Sequence, residues 1–172
     1  MKYGKNINIL LIDGYLKCTL ANWTGVVYKI PRTELENCKE REDLKQSGVY
    51  VLFGTEEKVE KEEKVIYIGQ ANARKNGEGI LSRLQEHKRN PKKAYWTEAI
   101  VFVTSNNSFG ATEISYLESR FYELAIQAKR YVVKNENHPN SGNITEEKAS
   151  ELEEFIEYVQ IQTFHSHLSI QK

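Results

Sequence analysis

Gly48-Val49-Tyr50-Val51-Leu52-Phe53-Gly54 and Val65-Ile66-Tyr67-Ile68-Gly69 decide how this sequence is read. Both stretches are short, apolar, rich in β-branched and aromatic residues and closed by glycine, which is the pattern of buried strands rather than of helix. Between them, residues 56–64 are almost all Glu and Lys, so a solvated hairpin loop is expected there. Residues 96–104, with Ile100, Val101, Phe102 and Val103, read as a further two-sided buried strand.

Outward from this centre the pattern becomes helical. Ile80, Leu81 and Leu84 form one apolar stripe, and Pro91 ends that helix. Ile114, Leu117, Phe121, Leu124, Ala125 and Ala128 mark a long amphipathic helix over 112–130, with Thr112 as the expected N-cap. A last helix, from 146 to about 161, is capped by Thr145 and packs through Leu152, Phe155, Ile156 and Val159. Before the centre, residues 7–12 make a strand that turns at Asp13-Gly14, a strong hairpin dipeptide. Strands over 15–21 and 26–30 follow, separated by Asn22-Trp23-Thr24-Gly25, and residues 32–46 read as one or two short helices. The expected class is α/β (α+β): a small, mainly antiparallel central sheet flanked by helices, with a β-rich N-terminal extension. Three segments are expected, at 1–46, 47–133 and 134–172.

A length of 172 residues with 40% hydrophobic content fills one core, so two large domains are not expected. The 24 Lys and Arg balance the 24 Asp and Glu, and any charged partner must therefore be read from local clustering rather than from the whole-molecule field. Cys18 and Cys38 are too few for a disulfide framework and lack the paired spacing of a zinc site. No apolar run approaches the roughly 20 residues of a membrane helix, and no apolar signal core follows Met1. A soluble, cytoplasmic protein with reduced thiols is the expectation.

Gly48-Val49-Tyr50, followed after 16 residues by Tyr67-Ile68-Gly69, resembles the paired tripeptides of the GIY-YIG nuclease family. That family's pattern continues with an arginine on the first helix, often a histidine one turn on, and a glutamate on a helix after the third strand. Arg83 and His87 are four apart, so they share a helix side and can converge on one anion, with Asn90 on the same side. Glu118 sits at the shoulder of its helix's apolar stripe, where a carboxylate is costly unless paired or metal-bound. The resemblance spans roughly residues 48–128, and the lead-in is also similar to that of a bacterial GIY-YIG subfamily. Val49 replaces isoleucine, and the segments 56–64 and 70–79 are longer than in compact members; both insertions fall in turns, where extra length costs little.

The resemblance implies a GIY-YIG nuclease fold and a catalytic set of Tyr50, Tyr67, Arg83, His87 and Glu118. It implies one Mg²⁺ or Mn²⁺ on Glu118, polarising a phosphate and stabilising the leaving 3′ oxygen. Arg83 would fork onto the phosphate, and His87 would bind a neighbouring oxygen or take a proton from a tyrosine. Tyr50 would activate water directly or through His87 and Tyr67 would position water or phosphate, with the choice of base left open. The implied reaction is endonucleolytic hydrolysis of DNA to a 3′ hydroxyl and a 5′ phosphate. The alternatives are an RNA target and a catalytically inactive nucleic-acid-binding module of the same fold. Arg74, Lys75, Lys88, Arg89, Asn90, Lys92 and Lys93 form a basic patch suited to phosphate backbones. Target choice would fall to a homo-oligomer or a specificity partner. His165 and His167 read as tail, and residues 138–142 as a turn without function.

Overall fold

The computed structural model of the chain describes residues 6–167, with side chains except at position 76 and from 161 onward. The His165 and His167 side chains thus lie outside the described residues. Strands β1 (Ile7–Ile12), β2 (Tyr15–Leu20) and β3 (Gly25–Pro31) form an antiparallel meander. Its first turn is Asp13-Gly14, both at positive φ (41° and 88°), as that dipeptide favours. Strands β4 (Gly48–Lys58) and β5 (Lys61–Ala71) pair as a long hairpin, and β6 (Trp96–Thr104) lies antiparallel between β3 and β4. A two-residue strand β7 (Val132–Val133) adds in parallel to Val65 and Ile66 of β5. One seven-stranded sheet results, in the order β1-β2-β3-β6-β4-β5-β7.

The helices are α1 (Ala73–Asn76), α2 (Ile80–Arg89), α3 (Ala111–Ala128) and α4 (Glu146–His167). Short 3-10 helices at Arg32–Cys38 and Glu42–Lys45 bury Leu35, Cys38 and Leu44. One sheet face, with Tyr28, Tyr50, Leu52 and Val101, packs against these turns and against Ile80 and Leu84 of α2. The other, with Val49, Val51, Ile68 and Phe102, meets Ile114, Leu117 and Phe121 of α3 and Leu152 and Phe155 of α4. Each such aliphatic or aromatic side chain removed from water contributes about 1.5–3 kcal/mol. Trp23 anchors α4 through Phe155 and Tyr158, with ring centroids 5.0 and 5.2 Å away. Both cysteines are free and buried, and no helix among the described residues is long and apolar enough to cross a membrane.

Four expectations need correction. The sheet is not small, because Val26, Val27 and Tyr28 of β3 are buried and their strand needs neighbours on both sides, which brings the N-terminal meander into the same sheet through β6. The Glu/Lys run is not a loop: the ladder continues to Lys58↔Lys61 and only Val59 and Glu60 turn, since a backbone ladder tolerates charged side chains that stay in water. Within the segment expected as a turn, 70–79, β5 runs on to Ala71 and α1 follows. Thr112 does not cap α3; the helix starts one residue earlier, and Glu113 reaches back to accept from the Gly110 N–H at 2.9 Å. Thr145 does cap α4, accepting from the Lys148 N–H at 3.2 Å.

Candidate active site

Tyr50 and Gly69 are direct partners across β4 and β5, and a Cβ at position 69 would overlap the Tyr50 ring and hydroxyl. The glycine of Tyr67-Ile68-Gly69 is therefore the floor over which Tyr50 lies. Tyr67, two residues back on the same strand, faces the same side, its ring centroid 6.5 Å from that of Tyr50. The α2 helix then drops His87 between them, with ring centroids 5.4 Å from each tyrosine. The Tyr50 hydroxyl and His87 Nε2 are 2.5 Å apart, both groups buried.

Burial, together with the charges of Lys93 and Arg83, pushes His87 down to about 4, so its ring is neutral near pH 7. In the tautomer that carries its hydrogen on Nδ1, the neutral Nε2 accepts from the Tyr50 hydroxyl. Burial first and the Tyr67 hydroxyl next hold Tyr50 well above the usual tyrosine range, against the lowering effect of Arg83. The protein's own groups thus supply no bias toward a Tyr50 phenolate, because desolvation outweighs the single nearby guanidinium. Arg83 is itself shared: its Nη1 pairs with Glu86 at 2.9 Å, and Tyr50 lies close enough to raise its pKa.

Glu118 arrives from the opposite sheet face, on α3. It meets Tyr67 at the outer edge of β5, where β7 covers only Val65 and Ile66. Gln70 hydrogen-bonds the carboxylate, yet Oε2 is buried without a partner. Burial raises this carboxyl to about 7, and Gln70 and Arg83 only partly oppose the rise. Glu118 and Arg83 are within electrostatic reach of each other and of Tyr50 and Tyr67. The structure thus gathers all five predicted side chains about one locus, His87 and Arg83 in one depression and Tyr67 and Glu118 in an adjoining cleft of about 670 Å³. Asn90 lines both, and its side chain caps the turn Pro91–Lys93 by accepting from the Lys92 N–H at 3.0 Å.

The basic patch divides. Lys93 is part of the site, its Nζ 4.1 Å above the Tyr67 ring centroid, while Lys92 and Arg89 are exposed on the rims. Arg74 is held away by the Asn107 carbonyl at 2.8 Å, and neither Arg74, Lys75 nor Lys88 lines either depression. Arg32, which sequence reasoning passed over, staples this segment: its guanidinium donates to the carbonyls of Lys88 (2.7 Å), Lys93 (3.3 Å) and Trp96 (3.3 Å) and lies 4.7 Å from the Trp96 ring. The far cleft wall, residues 134–139, was also missed, and within the turn 138–142 His138 lines the cleft and meets the Tyr122 ring edge-on, with centroids 4.6 Å apart. Asn135 fixes this wall, accepting from the Ile68 N–H and donating to its carbonyl at 3.0 and 2.8 Å. Strand periodicity could have found Gln70, two residues beyond Ile68 on the same face; nothing local marked the wall.

No three His, Cys, Asp or Glu side chains among the described residues gather as a metal cluster. The donors present fit instead a hard cation held through a single carboxylate and retaining most of its waters, because Glu118 Oε2 is an orphaned buried oxygen. No protein-family model, no curated protein and no solved structure matches the chain.

Proposed function

We propose that the chain is a divalent-metal-dependent endonuclease that hydrolyses DNA phosphodiester bonds at Tyr50, Tyr67, Arg83, His87 and Glu118. The observation that carries this reading is the Glu118 carboxylate, half-buried with one unpartnered oxygen, beside Arg83, Tyr67 and the hydrogen-bonded Tyr50–His87 pair. A core has no use for such a carboxylate, whereas a site for a phosphate and its cation does.

Glu118 would hold Mg²⁺ or Mn²⁺, which supplies charge stabilisation at the phosphate and the departing oxygen. Arg83 binds non-bridging phosphate oxygens through its planar fork, and Lys93 adds a second positive charge. With Nε2 as the acceptor, the Tyr50 hydroxyl donates a hydrogen bond to His87 and keeps an oxygen lone pair to accept from a water. As that water attacks phosphorus, its proton passes to the Tyr50 oxygen and the tyrosine's own proton moves to Nε2. The phosphorus–3′-oxygen bond breaks, and the 3′ oxygen takes a proton from solvent. A relay of this kind avoids a free phenolate in a buried site. Its basicity responds to substrate, since the negative charge of a phosphodiester partly offsets Lys93 and Arg83, whose charges add to burial in depressing His87.

The test is supercoiled plasmid with Mg²⁺ or Mn²⁺, with and without EDTA, on the wild type and on Glu118→Ala. Metal-dependent nicking lost in both controls is the expected result. Nicking that persists in excess EDTA removes the mechanism, and DNA binding without any cleavage leaves the inactive-module reading in its place.

A further inference from the structure

The cleft beside Glu118 is larger and more basic than one phosphate requires. At about 670 Å³ it extends from Tyr67 to the 134–139 wall, taking in Tyr95, Lys93 and Lys134. Tyr95 is only 9% exposed, and its hydroxyl is buried without an acceptor. Lys134 lies over the same ring, its Nζ 5.7 Å from the centroid, and is fixed at its root because its N–H donates to the Ile66 carbonyl at 2.8 Å. Lys93, half-buried, lines the same cleft with its Nζ over the Tyr67 ring.

Burial foremost holds Lys93 below the ordinary lysine range, and the charges of Arg83 and Lys134 add to that lowering. Two carboxylates moderate the field, Glu136 toward Lys93 and Glu56 through a 2.8 Å ion pair with Lys134. Neither gives the Tyr95 hydroxyl an acceptor. Gathering like charges around an orphaned donor is unfavourable in an empty cleft and favourable around an anion, since an incoming phosphate satisfies all three groups at once.

We propose that Lys134, Tyr95 and Lys93 form a second phosphate subsite next to the phosphate held at Arg83 and Glu118, so that the substrate must present consecutive phosphates along one strand. The inference rests on the nuclease reading and narrows its substrate class. Small single diesters bind only at the first position, and a nucleoside flanked by two phosphates spans both. Lys134 exchanges Glu56 for the phosphate, and Tyr95 donates its hydroxyl hydrogen.

The experiment is displacement of a fluorescein-labelled 12-mer DNA in EDTA, where no cleavage occurs, by thymidine 5′-monophosphate and by thymidine 3′,5′-bisphosphate. The wild type is expected to bind the bisphosphate at least tenfold better than the monophosphate. Lys134→Ala and Tyr95→Phe should each erase that preference without weakening the monophosphate. Lys134→Ala should also lower the salt slope of 12-mer binding by about one. Tyr95→Phe keeps the ring in place and guards against a folding artefact. If the wild type nicks plasmid and binds the 12-mer but shows no bisphosphate preference, or if both variants keep it, the subsite is wrong and the nuclease reading stands. If the wild type neither binds the 12-mer nor nicks plasmid, both fall together.

Discussion

Glu118→Gln separates a working carboxylate from a structural one through stability alone. In the folded chain this carboxyl ionises near 7 instead of the ordinary 4.5, and burial is the main cause. The linkage sign follows: between those two values the unfolded chain has released the proton that the folded chain still holds, so wild-type stability falls as pH rises. A displacement of roughly 2.5 pH units is worth ~3.4 kcal/mol at most. Solvent reaching the open side of the cleft screens the charge and reduces this to about 1–2 kcal/mol. Glutamine has the same shape and no charge, so its stability relative to wild type should improve by that amount between pH 4.5 and 8. For a chain of this size that is about 3–6 °C in Tm. The assay is thermal or urea unfolding of both proteins in EDTA at pH 4.5 and 8, repeated at pH 8 with Mn²⁺. The cation should stabilise the wild type and narrow the gap. A relative stability independent of pH, or one that favours wild type at pH 8 in EDTA, would refute the reasoning and make Glu118 a structural partner.

The remaining expectations concern rates and affinities. With metal limiting, kcat/KM for DNA cleavage should rise about tenfold per pH unit up to about 7 and then level, because Glu118 must be ionised. His87 gives the free enzyme no second limb above pH 5, and a limb centred near 4 with none near 7 contradicts the assignment. Tyr50→Phe leaves the buried His87 Nε2 without its partner, so a loss of ~1–3 kcal/mol in stability and of about 100-fold or more in turnover is expected from urea unfolding and plasmid nicking. Retained turnover in that variant excludes the relay. Arg32→Ala frees three carbonyls and the Trp96 ring, at a cost of about 2–3 kcal/mol, and should raise KM for DNA on the order of tenfold while kcat changes less. A lower Tm with KM unchanged shows that Arg32 only supports the fold.

Sequence read the central strands and both long helices because each is dense in apolar residues at one clear period. Tyr50, Tyr67, Arg83, His87 and Glu118 were legible as an ordered pattern, and helical spacing placed Arg83 and His87 together. What failed was of two kinds. Charge in residues 56–64 masked the outer rungs of the hairpin, whose cohesion is backbone pairing that side-chain chemistry does not report. Long-range placement was the other: Arg32 meets residues 56 to 64 positions away, and Asn135 meets Ile68 across 67, with no local signal for either. The ionisation states of Tyr50 and His87 also depend on burial, which spacing cannot supply.

The position of β6 between β3 and β4 has a consequence for synthesis of the chain. The meander β1–β3 is made first, but the inner edge of β3 has its partner only after Thr104 has been made. At roughly 5–20 residues per second that is a wait of several seconds, spent with one strand edge unpaired and with Tyr28 and Ile30 lacking their cover. Non-local pairing of this kind is also slow once the whole chain is available. At the outer edge of the meander, β1 still exposes Ile9, Leu10 and Leu11 at 53%, 56% and 71% in the finished fold. The growing polypeptide is therefore most vulnerable to mispairing with its neighbours before Thr104 is complete, and nascent chains arrested on either side of that residue should differ sharply in resistance to protease.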